Sequence, residues 1–302
     1  MIGGGPIGCE MAQAFARLGC EVTIVQRREQ LLPQEDPAAA AIVSEALRRD
    51  GVSVWTHAHL QRAQVQDGEK LLTVVVENQE RTLAVDEILV GVGREPNVED
   101  MGLERVDVRY GRHGVKVNDR LQTTNRRIYA VGDCCSRHKF THAADAMARM
   151  VVRNALFGGW QKVSNLVIPW CTYTDPELAH VGLHEHEARQ RHIKFDTFVQ
   201  PMDQIDRAIL DGRTVGFVKV LARKCSHRIL GATIVSAHAG EMIGALTQAM
   251  VAGTPLGRLS AVICPYPTLA DAVRKTADAC NRRRLTPLVR KGLDRWLQWQ
   301  RR

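Results

Sequence analysis

The sequence predicts an α/β protein with a doubly wound first part, a second α/β stretch, and an α+β second half. Three observations carry this. Residues 3–8 form a glycine-rich turn that opens a helical pattern and leads into a strand. Residues 97–160 hold a short apolar run at 128–133 followed by a helical pattern from Thr141. From about 165 the pattern becomes five strand-like runs with helices among them, as in α+β domains. The 302 residues suffice for about two domains. Hydrophobic residues at 45% and charged residues at 25% are ordinary for a soluble globular chain and exclude a disordered one. No apolar run reaches the roughly 20 residues of a membrane span. The opening Met1-Ile2-Gly3-Gly4-Gly5 is not a secretory signal.

Element by element, Ile7, Met11, Ala14, Phe15 and Leu18 share one helical face. Residues 20–25 read as a strand. A helix over Pro37–Arg49 has Asp36 as N-cap and Pro37 at its first position. Strands are expected at 52–55, 61–67 and 70–77, the last two turning at Asp67-Gly68. The run Ile88–Gly93 reads as a buried parallel strand. In the second stretch, a strand over 128–133 precedes a helix over Thr141–Leu156, closed by Gly158-Gly159. Beyond 165, strands are expected at 167–174, 178–183, 193–200, 215–222 and 229–236, with helices near 184–191, 238–252 and 268–279. There is no internal repeat and no low-complexity segment.

The eight cysteines include no Cys-x-x-Cys, so zinc-site spacing is absent and reduced thiols are the expectation. The adjacent Cys134-Cys135 reads as packed thiols, with a redox or soft-metal pair as the alternative. The net charge of +8 is concentrated in one place. Residues 282–302 hold eight Lys/Arg against one Asp, leaving +1 for the preceding 281 residues.

Gly3, Gly5 and Gly8 form a G-x-G-x-x-G. Gly3 suits the tight turn, Gly5 lets backbone approach a pyrophosphate, and Gly8 lets helix pack on strand. The helix N-terminus then presents its dipole to phosphate. A strand ends at Gln26, 18 residues after Gly8, as a Rossmann-like dinucleotide site requires. There an NAD site wants an acid for the ribose 2′-hydroxyl. Gln26-Arg27-Arg28 offers two guanidiniums instead, which suit a 2′-phosphate and favour NADPH over NADH. A solvated basic loop is the plainer reading.

Four separated motifs then carry a resemblance: Gly3 to Glu10; Gly91-Val92-Gly93-Arg94-Glu95-Pro96-Asn97; Tyr129-Ala130-Val131-Gly132-Asp133; and Tyr173-Thr174-Asp175-Pro176-Glu177 with Val181-Gly182. In order and spacing the chain resembles the C-terminal two-thirds of a class I pyridine nucleotide–disulfide oxidoreductase, in the mercuric reductase-like and dihydrolipoamide dehydrogenase-like branch. The resemblance implies an NAD(P)-binding domain at 1–96, the C-terminal part of an FAD-binding domain at 97–160, a dimerisation domain at 165–281 and a basic amphipathic tail at 282–302. It implies that Gly3, Gly5 and Gly8 hold the NADPH pyrophosphate and that Arg27 meets the 2′-phosphate. Glu10 would touch the nicotinamide carboxamide and Gly93 would lie near the nucleotide. Asp133, after Gly132, would accept from the ribityl chain of FAD. The helix opening at Thr141-His142 would aim its positive end at the flavin pyrimidine edge.

In family members with a catalytic His before Pro-Thr, a Glu five positions on orients it. This chain has Tyr266 and Asp271 at those positions. A phenol is a poor general base at pH 7 but can donate or ligate. Tyr266 fits the mercuric reductase-like branch; a packing role is the alternative.

Family members begin with an FAD-binding unit holding a redox Cys pair four residues apart, and this chain shows neither. The strand expected before the glycine turn is reduced to Met1-Ile2. The chain therefore reads as a fragment, a mis-set start or half of a split protein, with an upstream polypeptide as partner. The expected function is hydride transfer from NADPH to FAD and onward to mercuric ion, a quinone, a disulfide or oxygen. The alternative is an inactive homodimerising module. A homodimer is implied, nucleic acid is not, and a cytoplasmic location follows. On a helical wheel Leu285, Leu288, Val289, Gly292, Leu293, Trp296, Leu297 and Trp299 occupy one half, and Arg290, Lys291, Asp294, Arg295, Arg301 and Arg302 the other. Contact with an anionic membrane surface and packing on protein both remain open.

Overall fold

The structure is a computed structural model that describes residues 1–301; Arg302 and the side chain of Leu288, both placed on the wheel above, lie outside the described set. The chain forms two compact units, one of residues 1–92 with 169–302 and one of residues 93–168.

The first unit opens with Met1-Ile2, which forms isolated bridges rather than a strand. Ile2 bridges Val25 on one side and Val90 on the other, both parallel. Its N–H donates to Leu89 O at 2.8 Å and its carbonyl accepts from Gly91 N at 2.7 Å. Helix α1 (Pro6–Arg17) follows, and then β1 (Thr23–Val25) pairs in parallel with β2 (Ser53–Trp55). The expected apolar face of α1 is not the buried one. Ile7, Phe15 and Leu18 are exposed, and Gly8, Cys9, Ala12 and Gln13 are buried. Small residues win this face because the helix backbone must come close to the glycine turn.

Helix α2 (Pro37–Arg49) has the expected bounds. The Asp36 carboxylate accepts from Ala38 N at 3.0 Å and Ala39 N at 3.3 Å, satisfying otherwise unpaired first-turn donors. Next comes an antiparallel sheet of β3 (Ala58–Gln66), β4 (Glu69–Val76) and β5 (Gln79–Val85). The expected turn at Asp67-Gly68 is present, with φ of 52° and 88°. The second turn, Glu77-Asn78, takes the same left-handed region without glycine, so the sequence reading missed β5. The run 88–93 is corrected as well. It sits at the sheet edge against Ile2, and Val90 and Val92 are exposed rather than buried.

The rest of this unit is a five-stranded antiparallel sheet. Its strands are β8 (Pro169–Thr172), β9 (Glu177–Gly182), β10 (Phe195–Pro201), β11 (Phe217–Arg223) and β12 (Ile229–Ser236), in the order β10-β11-β12-β9-β8. The short helices α4 (Glu185–Gln190) and α5 (Asp206–Leu210) connect strands; α5 was not expected. Helix α6 (Ala239–Val251) packs on β8, β9 and β12, and α7 (Asp271–Arg282) on β10 and β11. One apolar cluster joins Leu47 and Val43 of α2 to Leu178, Phe217 and Val235 of this sheet. Helix α8 (Pro287–Gln300) closes the unit in sequence.

The second unit holds a β6–β7 hairpin (Tyr110–Gly111, Gly114–Val115) and α3 (Thr141–Leu156), the latter with the expected bounds. The expected strand at 128–133 does not form. Tyr129 makes one antiparallel bridge, to Gln122, and Gly132–Cys134 is a 3-10 turn. A short apolar run does not make a strand without neighbours to accept the ladder.

Candidate functional site

The glycine turn has the geometry its sequence implies. Gly3 has φ +98°, and a Cβ there would lie 2.6 Å from Gly91 O. A Cβ on Gly8 would lie 2.0 Å from Gly3 O, so only glycine allows the helix this close to the turn. Gly5 is extended, and a Cβ there would meet nothing within 4 Å. No side chain caps α1, so the amides of its first turn have no side-chain acceptor, and the space at Gly5 is open. That is the arrangement an anion requires.

Gln26, at the end of β1, is buried, and its Nε2 donates to Gln30 O at 3.1 Å. Arg27 and Arg28 are exposed, and neither enters an ion pair among the described residues. Segment 26–36 is held against the turn by Leu32 N donating to Gly4 O at 2.7 Å. It is also held from within by Gln30 Nε2, which donates to Glu35 O at 3.3 Å.

Glu10 does not project freely. Its Oε1 accepts from Tyr173 N at 2.8 Å. One turn on, Gln13 Oε1 accepts from Asp175 N at 2.7 Å, and Gln13 Nε2 donates to Asp175 O at 2.9 Å. The Tyr173–Glu177 motif, with a cis Asp175–Pro176 bond, is thus docked along α1. Asp175 also pairs with Arg17 at 3.0 Å and Arg213 at 2.7 Å.

A buried polar cluster that the sequence reading missed lies at the other end of segment 26–36. Glu35 Oε1 accepts from Trp170 Nε1 at 2.7 Å. Glu35 Oε2 and His184 Nε2 face each other at 3.9 Å, and neither has a hydrogen-bond partner among the described residues. Burial pushes the Glu35 carboxyl up to about 7 and holds His184 below its ordinary range. His180 stacks on His184 with ring centroids 3.6 Å apart. Both His180 ring nitrogens are engaged, with Thr233 Oγ1 at 2.8 Å and Gly182 O at 3.2 Å. Glu35, His180 and His184 offer ligand-type atoms within 4.8 Å of one another. With both His180 ring nitrogens engaged, Glu35 Oε2 and His184 Nε2 are the free ligand-type atoms of this group among the described residues. The only sequence signal was the His-x3-His spacing of 180 and 184, and the acid that completes the group comes from residue 35.

In the second unit, Asp133 Oδ2 pairs with Arg94 Nη1 at 3.0 Å. Arg94 Nη2 also donates to Lys139 O, and Lys139 Nζ to Arg94 O. Arg94 was part of a quoted motif but had no assigned role; here it ties 94 to 133–139. Gly132 has φ +76°, and a Cβ there would come within 3.0 Å of Ala144 Cβ of α3. Gly93 has φ +130°. His142, beside Thr141 at the start of α3, stacks on Phe140 with centroids 5.3 Å apart. Cys134 and Cys135 donate to Val131 O and Gly132 O, and burial with the neighbouring thiol pushes Cys135 up to about 12. A thiol raised in this way is a poor nucleophile.

Tyr266 is exposed, and its hydroxyl donates to Asp206 Oδ2 at 2.8 Å. Asp271 instead faces Arg274 at 2.7 Å and Lys275 at 3.4 Å.

Residues 1–148 match the family model described as pyridine nucleotide-disulphide oxidoreductase, and residues 168–277 match that family's dimerisation domain. The mercuric reductase of Bacillus cereus is 35% identical over 276 residues, covering 91% of this chain and 44% of that protein. The dihydrolipoyl dehydrogenase of Thermus scotoductus is 33% identical over 293 residues, covering 96% and 63%. Among solved structures, the HOCl-induced flavoprotein disulfide reductase RclA of Escherichia coli superposes with a TM-score of 0.83 at 29% identity, covering 92% and 63%. The chain thus spans less than two thirds of each of these relatives. With the glycine turn, the docked Tyr173–Glu177 motif and both domains matched, the chain belongs to the pyridine nucleotide-disulphide oxidoreductase family.

Proposed function

We propose that the chain supplies the NADPH site, part of the FAD site and the dimerisation domain of a flavoprotein oxidoreductase. The carrying observation is the uncapped α1 N-terminus behind Gly3, Gly5 and Gly8, with Arg27 and Arg28 exposed and unpaired at the end of β1. The open space at Gly5 receives the pyrophosphate, and the two guanidiniums the 2′-phosphate. Glu10, fixed by Tyr173 N, orients the nicotinamide carboxamide. Bound FAD supplies the two-electron acceptor for the nicotinamide hydride. Asp133 suits a ribityl hydroxyl, because Arg94 takes Oδ2 and Oδ1 has no hydrogen-bond partner among the described residues. Thr141 and His142 open the helix whose positive end faces the flavin edge. Tyr266, with Asp271 nearby in sequence, favours the mercuric reductase-like branch. Mercuric ion, a quinone, a disulfide and oxygen are the acceptor classes.

Titrating the chain with NADPH and NADH tests the nucleotide assignment. NADPH is expected to bind about ten- to a hundredfold more tightly, the scale of one charge-assisted contact. The joint Arg27→Ala, Arg28→Ala variant is expected to erase the preference while leaving NADH affinity unchanged. Equal affinities in the unaltered chain would refute the assignment.

The same reading carries a homodimer through the matched dimerisation domain, where Val262, Ile263 and Tyr266 stand exposed. It also carries a cytoplasmic setting and an upstream polypeptide completing the FAD site. The absence of a Cys-x4-Cys from these 302 residues favours one second reading, a non-catalytic homodimerising module. Purified chain separates the two: yellow colour with NADPH oxidation supports the enzyme, and a colourless stable dimer supports the module.

A further inference from the structure

Helix α8 stands apart from the family domains. It begins beyond residue 277, where the matched dimerisation domain ends. It has its own start signal: Pro287 at the first position and the Thr286 hydroxyl accepting from Val289 N at 3.4 Å. Its root is fixed to the sheet, because Arg283 pairs with Asp196 of β10 at 3.0 Å and lies over the Phe198 ring at 5.6 Å. Past that root, its apolar side is largely uncovered among the described residues. Leu285, Val289, Leu293, Trp296, Leu297 and Trp299 share one half of the helix and its approach, and all are 42% exposed or more. Of the packing expected from the sequence, on the body or on a dimer mate, the body accounts for little, since these side chains stay at least 42% exposed. Six large apolar side chains in water, two of them Trp, require an occupant.

We infer that α8 lies in the surface of an anionic lipid bilayer, apolar side down, holding the enzyme at the membrane. Charge selects this occupant. The segment carries eight Lys/Arg and one Asp, whereas the preceding 281 residues carry only +1. A second copy of the chain could cover the leucines, but its net charge of +8 has the same sign as the helix's cations. Nucleic acid could meet the cations but would leave Trp296 and Trp299 in water. An anionic bilayer meets both: acyl chains take the leucines, Trp rings sit at headgroup depth, and Arg290, Lys291 and Arg295 reach the phosphates. The helix lies flat rather than crossing. Its 14 residues extend about 21 Å, short of the roughly 30 Å hydrocarbon core. Among the described residues no helix is long and apolar enough to cross a membrane.

The test is flotation of the full chain with phosphatidylcholine vesicles, with and without 30 mol% phosphatidylserine. The expected result is flotation on the anionic vesicles only, reversed by 0.5 M salt. Two joint variants divide the physics, Trp296→Ser with Trp299→Ser and Arg290→Glu with Lys291→Glu. Each is expected to weaken partitioning about tenfold or more, leaving thermal midpoint and oligomeric state unchanged. Flotation of both variants like the unaltered chain overturns the inference. So does equal flotation on neutral vesicles. No flotation, with loss of oligomer in the Trp variant, also overturns it and assigns the face to a second copy. None of these readouts depends on nucleotide or flavin binding.

Discussion

Glu35→Gln is expected to stabilise the protein at high pH and to do nothing at low pH. The Glu35 carboxyl is raised from 4.5 to about 7, first by burial, with Asp36 adding to the rise and the Trp170 hydrogen bond opposing it. A carboxyl raised on folding binds its proton more tightly in the folded state. Its protonated form costs nothing, so stability is full below about pH 4.5 and is lost as pH climbs to about 7. The loss levels off at about 3 kcal/mol. Glutamine keeps an oxygen for Trp170 Nε1 and never ionises, so the loss disappears. His184 and His180 act in the opposite direction. Burial lowers both, so their stability is present above the ordinary histidine range and falls as pH drops through it. Asp36 and Glu187 soften this for His184, and His186 adds to it. The difference between wild type and variant cancels the histidines. Urea unfolding at pH 4, 6, 7 and 8.5 should show curves that nearly coincide at pH 4 and separate by about 3 kcal/mol at pH 8.5. Coincidence at pH 8.5 would mean that Glu35 is not the buried acid described here.

Gly8→Ala is the second large effect. Its Cβ would lie 2.0 Å from Gly3 O and 3.2 Å from Gly3 C, and both are backbone atoms. They have little room to yield, because Gly3 N donates to Val25 O at 2.9 Å and Ile2 is tied to Leu89 and Gly91. The helix must lift from the turn, at about 3 kcal/mol or more. Nucleotide binding should be lost with it. Gly5→Ala is the control that separates fold from site. Its methyl meets nothing within 4 Å, and the extended backbone tolerates alanine, so stability should hold. The same methyl stands where the pyrophosphate approaches, so NADPH affinity should fall about tenfold or more. Thermal unfolding and NADPH titration of both variants decide it. Unchanged NADPH binding in Gly5→Ala would remove the pyrophosphate from the turn.

Several features were legible because their causes are local. Asp36 caps α2 with donors two and three residues away, so the bounds of α2 follow from a short stretch of sequence. The same holds for α3 and for the Asp67-Gly68 turn. The five strands after 165 were legible because each is a run of apolar, β-branched residues between turns. The glycine motif, Gln26-Arg27-Arg28 and the basic tail were legible as chemistry, since residue type and spacing carry it.

What failed, or could not be read, depends on which segments meet. Ile88–Gly93 looked buried, but burial needs neighbours on both sides and this run has one. Residues 128–133 had a strand's composition and only a single bridge to pair with. In α1 the apolar stripe pointed outward, because the approach to the turn demanded glycine, cysteine and alanine inside. Glu35 meets Trp170 across 135 residues and Arg94 meets Asp133 across 39, and no period or motif announces either. Residue type, capping and turn chemistry act within a few residues, so the sequence alone determined the glycine turn, the Arg27-Arg28 pair and the amphipathic tail. Burial and the pairing of polar groups depend on contacts between distant segments, so only the tertiary structure decided that Glu35 would be an acid titrating near neutrality and that the tail's apolar side would remain largely uncovered.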